Sequence, residues 1–91
     1  MAIKFALLGC GRIGVLHARN LAKADGARLE TVFDPNTMAA EAVAKAHGCK
    51  VTTSVEDAIG EAEAVLIATS TATHADLIEL AAKAGKAILC E

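Results

Sequence analysis

Tryptophan and tyrosine are absent from this chain, and phenylalanine occurs only twice. A surface that stacks bases on aromatic rings is therefore excluded. Basic residues are outnumbered by acidic ones, 9 to 11, for a net charge of −2. That balance gives the chain as a whole no basic footprint for nucleic acid or an anionic membrane. No apolar run approaches the roughly 18 residues of a membrane-spanning helix. Met1-Ala2-Ile3-Lys4 runs straight into a strand-like segment and lacks the charged lead and cleavage site of a signal peptide. The cysteines, Cys10, Cys49 and Cys90, are odd in number and show no metal-ligand spacing. The expectation is a reducing cytoplasm, no structural disulfide and no metal centre.

What is present is alanine-rich apolar sequence, 54% of 91 residues. That suffices for the core of one small domain. Short apolar runs alternate with helical stretches, and a turn signal stands at each switch. Ile3 to Leu8 reads as a strand bounded by Gly9. Arg12 to Ala24 reads as a helix with Ile13, Leu16, Leu21 and Ala24 as its apolar stripe and Gly26 as a stop. Arg28 to Phe33 is a second strand. Asp34-Pro35 then opens a helix, with Pro35 in its first turn, that runs to His47 and closes at Gly48. Lys50 to Thr53 is a short third strand, and Ser54 caps a short helix. Ala64 to Ala68 is a fourth strand, Thr73 to Ala84 a helix with Thr73 as its cap, and Lys86 to Cys90 a fifth strand. Continuously apolar runs such as Val65-Leu66-Ile67-Ala68 suit strands covered on both faces. The fold class is α/β, a Rossmann-type doubly wound parallel sheet of about five strands in the order 3-2-1-4-5 with helices on both faces.

The first strand-to-helix turn is Gly9-Cys10-Gly11-Arg12-Ile13-Gly14. Glycines at this spacing have separate tasks. The first allows the tight turn, the second lets the backbone approach a pyrophosphate, and the third lets helix and strand pack closely. Unpaired N–H groups at the start of the helix, those of Arg12 and Ile13 among them, suit the anion. Asp34 ends the second strand twenty residues after Gly14. A carboxylate there accepts hydrogen bonds from an adenosine ribose and repels a 2′-phosphate, so NAD is favoured over NADP. The plainer alternative is a glycine turn that only connects strand to helix.

Thr69-Ser70-Thr71 follows the fourth strand, at the switch point where ligands bind. Either these hydroxyls contact the cofactor, or Thr71 or Thr73 only caps the next helix. His74 either faces the nicotinamide side or is a surface or packing residue. His17, His47 and Cys10 call for no functional role.

The opening turn with His17-Ala18-Arg19-Asn20-Leu21, and the run from Ala68-Thr69 through Thr73-His74 to Ala81-Ala82-Lys83-Ala84-Gly85-Lys86, resemble the glucose–fructose oxidoreductase/inositol dehydrogenase (Gfo/Idh/MocA) family, inositol 2-dehydrogenases in particular. The resemblance covers the whole chain. It implies that Gly9, Gly11, Arg12, Ile13 and Gly14 hold the pyrophosphate and that Asp34 holds the adenosine ribose. It further implies that Thr69 to Thr71 and His74 line the path to the nicotinamide, with Glu91 near the nicotinamide ribose. The family's next motif is Glu-Lys-Pro, whose lysine takes part in proton transfer, and the chain stops at Glu91. Residues 1–91 are thus expected to be one truncated NAD-binding domain without its C-terminal substrate domain. Such a domain would bind NAD or an ADP-ribose-like ligand and be inactive alone. A fifth strand at an open sheet edge, or an exposed apolar face, would make it a homo-oligomer. The alternative is a self-associating scaffold that binds no cofactor.

Overall fold

The computed structural model describes residues 2–69 and 71–90, with 71–73 and 90 described by backbone alone. The elements follow in chain order. They are β1 (Ile3–Leu8), α1 (Arg12–Lys23), β2 (Ala27–Phe33), α2 (Thr37–His47), β3 (Lys50–Val51), α3 (Val55–Gly60), β4 (Ala64–Ile67), α4 (Thr71–Lys83) and β5 (Ala87–Cys90). The strands form one sheet in the order β3-β2-β1-β4-β5, every neighbouring pair parallel, as the sequence pattern requires.

Side chains alternate along β1 and β4 and so divide two cores. Ala6, Leu8, Val65 and Ile67 point to one face and pack with Ala58, Ile59, Leu77 and Ala81 of α3 and α4. Leu7, Val32 and Leu66 point to the other and pack with Ala18, Ala40, Val43 and Ala44 of α1 and α2. Leu7, Leu8, Val32, Val65 and Ile67 are fully buried, each contributing about 1.5–3 kcal/mol relative to exposure. The alanines make each layer thin, so helix backbones lie close to the sheet. Between Phe5 and Ala6 the pairing of β1 with β2 skips Glu30, a one-residue bulge. Leu29 and Val32, three residues apart, therefore share a face.

Two expected helix starts move, and the buried face of α1 differs from the expected one. The helix expected from Asp34-Pro35 starts at Thr37, because Asn36 is its cap. The Asn36 side chain accepts from the amides of Met38 at 3.1 Å and Ala39 at 3.3 Å. Asp34 Oδ1 accepts from the Asn36 amide at 2.8 Å, which holds Asp34-Pro35 in a turn outside the helix. The last helix begins at Thr71, so Thr73 lies inside it and is not its cap. In α1, Gly14 and Ala18 are the buried residues, while Ile13 and Leu16 are exposed. Of the expected stripe, Leu21 is half-buried and packs against the core, so Gly14, Ala18 and Leu21 form the face that meets the sheet. The short helix is as expected, since Ser54 Oγ accepts from the Asp57 amide at 3.0 Å.

Candidate functional site

Neighbouring strands β1 and β4 connect onward to opposite sides of the sheet, and their carboxyl ends open a crevice between the loops that follow them. The hydrogen-bond ladder runs into both loops. The Gly9 amide donates to the Phe33 carbonyl and the Ala68 amide to the Leu8 carbonyl, each at 2.8 Å.

Gly9 has φ of +106°, a region that L side chains rarely adopt. A Cβ there would also lie 2.7 Å from the Ala68 carbonyl oxygen. At Gly14 a Cβ would overlap the Gly9 carbonyl oxygen, so α1 leaves the turn at the closest possible approach. Gly11 is different. Its φ is −77°, which any residue adopts, and a Cβ there would meet nothing within 4 Å. Fold geometry accounts for Gly9 and Gly14 but leaves Gly11 unexplained. A bare backbone facing open space at the start of a helix suits a ligand that comes close.

The first helical bond of α1 runs from the Val15 amide to the Gly11 carbonyl at 2.8 Å, and no side chain caps the helix. The amides of Arg12, Ile13 and Gly14 thus have no helical acceptor. They concentrate the positive end of the helix dipole beside Gly11.

Asp34 stands at the end of β2. Its Oδ2 accepts from the Cys10 amide at 2.7 Å and its Oδ1 from the Asn36 amide at 2.8 Å. A carboxylate accepts about four hydrogen bonds, so two positions remain for a ligand. The Cys10 thiol beneath is 3% exposed. Burial, and then the nearby Asp34 and Cys49, push its pKa up to about 12. It is an inert packing group, and only its amide serves the site.

A cleft of about 500 Å³ brings these parts together. Gly9 and Gly11 form one wall, Asp34 and Pro35 a second, and Ala68 and Thr69 a third, over an apolar floor of Phe33, Val55 and Leu77. Of the residues expected from sequence, Gly9, Gly11, Asp34 and Thr69 line the cleft. Gly14 is buried behind it. Arg12 and Ile13 sit at the start of α1 and also line a separate depression on its outer face. His74 Nε2 lies 2.7 Å from the Thr69 carbonyl, so the ring donates to the loop that it was expected to accompany. Ser70 and Glu91 lie outside the described residues, as does the Thr71 side chain. The sequence reading missed Phe33, Pro35, Val55 and Leu77. The signal available for Val55 and Leu77 was an apolar residue in the first turn or two of a helix that leaves the carboxyl end of the sheet. Among the described residues no group of three or more His, Cys, Asp or Glu is arranged to hold a metal ion. No helix of the described residues is long and apolar enough to cross a membrane.

A five-stranded doubly wound sheet with a glycine turn, a bare helix start and an acid at the end of the second strand defines a nucleotide-binding Rossmann domain. Comparison with known proteins places it more closely. Residues 3–91 match the model of the GFO_IDH_MocA family, the oxidoreductase family with an NAD-binding Rossmann fold, and the chain belongs to that family. It is 51% identical to an inositol 2-dehydrogenase of Rhizobium meliloti over 92 residues, covering 100% of this chain and 28% of the relative. It is 40% identical to a scyllo-inositol 2-dehydrogenase (NAD(+)) of Bacillus subtilis, covering 98% of this chain and 27% of that protein. Among solved structures, a scyllo-inositol dehydrogenase of Lactobacillus casei with bound NAD(H) and scyllo-inositol superposes with a TM-score of 0.92 at 29% identity. That match covers 99% of this chain and 28% of the other. The chain therefore spans little more than a quarter of the length of the relatives it matches.

Proposed function

We propose that this chain is the NAD-binding part of an inositol- or sugar-dehydrogenase-like oxidoreductase, selective for NAD over NADP and not catalytic by itself. The observation that carries the reading is Gly11, whose missing side chain neither its backbone angles nor its neighbours require. The pyrophosphate would rest on the Gly11 backbone and the free amides at the start of α1, with the Arg12 guanidinium close by. Asp34 would take the adenosine ribose hydroxyls on its remaining acceptor positions and oppose a 2′-phosphate by charge. The adenine would lie on the apolar floor of Val55 and Leu77. Thr69, braced by His74, would stand where the dinucleotide turns toward the nicotinamide, with Ser70, Thr71 and Glu91 further along that path.

Bound NAD supplies a hydride acceptor. Oxidising a polyol also needs a base for the hydroxyl proton and a pocket that sets the carbon against the ring. The described residues around the cleft offer Asp34, whose carboxylate is already tied to two amides, and His74, tied to Thr69. Neither is placed as a free base, which supports inactivity of the chain alone.

Calorimetric titration with NAD tests this, repeated with Gly11→Val and Asp34→Ala. Saturable binding weakened by both substitutions is expected, as is ADP-ribose binding within about tenfold of NAD, or 1.4 kcal/mol. No heat at millimolar NAD from a folded chain would overturn the reading.

A second reading, self-association, has its own observation. Strand β5 pairs with β4 on one side, is the last strand of the sheet, and carries Leu89 at 55% exposure. Edge pairing between two copies would satisfy that side. Sedimentation at micromolar to millimolar concentration distinguishes the two, since a concentration-independent monomer removes this reading.

A further inference from the structure

The cleft has two chemically different parts. Its walls carry the polar groups, namely the Gly9 and Gly11 backbone, Asp34 and Thr69. Its floor is apolar and continuous with a core. Leu77 is buried in the cluster of α3 and α4, and Phe33 and Val55 pack against that same cluster. Among the described residues that line the cleft, Asp34 and Thr69 are the only side chains with a hydrogen-bonding group.

Polar groups next to the floor already have partners. The Phe33 carbonyl accepts from the Gly9 amide at 2.8 Å and lies 3.9 Å from the Cys10 thiol. Ser54 precedes Val55. Its hydroxyl accepts from the Asp57 amide at 3.0 Å and its carbonyl from the Ala58 amide at 3.2 Å. The Thr52 hydroxyl donates to the Val32 carbonyl at 3.3 Å. A planar base on this floor is thus held by its face. A site that reads a base edge discriminates strongly, because the wrong edge leaves a buried polar group unpaired. An apolar floor discriminates by the area that the ligand covers.

We infer, on the reading of the cleft as a dinucleotide site, that it recognises the ribose and diphosphate of its ligand but not the edge of the base. Its ligands are then purine nucleoside diphosphates as a class, not adenine compounds alone. Phe33, Val55 and Leu77 select a purine over a pyrimidine, because two fused rings cover more of the floor than one.

Titration of the chain with ADP, IDP and UDP tests this, with NAD measured alongside. ADP and IDP differ only at the base edge. The amino donor of adenine is a carbonyl acceptor in hypoxanthine, and the adjacent ring nitrogen changes from acceptor to donor. Expected are dissociation constants for ADP and IDP within about threefold of each other and UDP weaker by about fivefold or more. Val55→Ala, shown by thermal melts to be folded, should weaken ADP and IDP by the same factor and narrow their lead over UDP. ADP binding more than about threefold tighter than IDP would overturn the inference, because the edge would then be read. So would UDP binding as tightly as ADP, because the floor would then hold no base. NAD binding without ADP binding would overturn the inference and leave the proposed function standing. No NAD binding by the folded chain would remove both.

Discussion

The Cys10 amide and the Asp34 carboxylate are joined by a hydrogen bond of 2.7 Å that ties the glycine turn to the end of β2. In the proposed function the turn would offer backbone to a pyrophosphate, and Asp34 oxygen to a ribose. One bond thus fixes the distance between two groups that would grip neighbouring parts of the same ligand. The second Asp34 oxygen holds the Asn36 amide, which sets the start of α2.

Asp34→Asn should therefore act on both fold and ligand. An amide presents one oxygen, so either the Cys10 or the Asn36 amide would face a donor. Stability should fall by about 1–3 kcal/mol in urea denaturation. Titration should show weaker NAD binding and a narrowed gap between NAD and NADP, because the charge opposing a 2′-phosphate is gone. An unchanged unfolding midpoint would show that the two amides do not depend on the carboxylate.

Gly11 and Gly14 should separate binding from stability. A Cβ at Gly11 meets nothing in the chain, so Gly11→Ala should change stability by no more than about 1 kcal/mol. Its NAD dissociation constant should still rise at least about tenfold. At Gly14 the added carbon overlaps the Gly9 carbonyl oxygen, and helix and turn must part. Gly14→Ala should cost about 3 kcal/mol or more. Thermal melts beside the titrations decide the matter, and equal loss of stability in the two variants would refute the distinction.

Cys10 gives an alkaline dependence. Its folded pKa, about 12, lies above the ordinary 9.0, so the fold favours the neutral thiol. The unfolded chain loses this proton first. Stability from this group is complete below pH 9.0 and is lost as pH rises toward 12. Burial raises the Cys49 thiol in the same direction. Iodoacetamide at pH 8 should leave Cys10 unlabelled in the folded chain and label it fully in urea. Rapid labelling in the native state would contradict the buried, protonated thiol.

The contact between His74 and Thr69 requires a proton on Nε2, because a carbonyl oxygen only accepts. Nitrogen-15 NMR of the neutral ring should show the Nε2–H tautomer. His74→Leu should lose about 1 kcal/mol of stability and weaken NAD binding, with Gln in its place recovering part of the affinity. A neutral ring carrying its proton on Nδ1 would rule the contact out.

Strand number, order and direction were legible in the sequence, because two-sided burial leaves continuous apolar runs and glycine turns mark their ends. That Gly9, Gly11 and Asp34 line one cleft was legible from their spacing, since each was placed at the carboxyl end of a neighbouring strand. What stayed hidden depended on contacts distant in sequence. The Asp34-Pro35 pair resembled a helix start until Asn36 took the cap. The α1 stripe was misread because large apolar residues usually face a core. Here the close approach at Gly14 admits only small residues in the first turns, where Ile13 and Leu16 turn outward, while Leu21 further along packs on the core. The apolar floor of Val55 and Leu77 comes from two helices that only the folded sheet brings together.

The bulge at Glu30 shows how little slack lies behind Asp34. Leu29 faces α1 and α2, while Thr31 faces α3, its hydroxyl donating to the Ala58 carbonyl at 3.2 Å. The extra residue works as a phase shifter, letting the second half of β2 stay in step with β1 after the first half has slipped. Deleting it would invert everything downstream, turning Val32 to the wrong layer and aiming the carboxylate away from the glycine turn. Length in this strand is thus a coordinate of the binding site as much as any side chain in it. A β2 transplanted between relatives would have to carry its irregular residue with it, or deliver an aspartate that has the right identity and the wrong address.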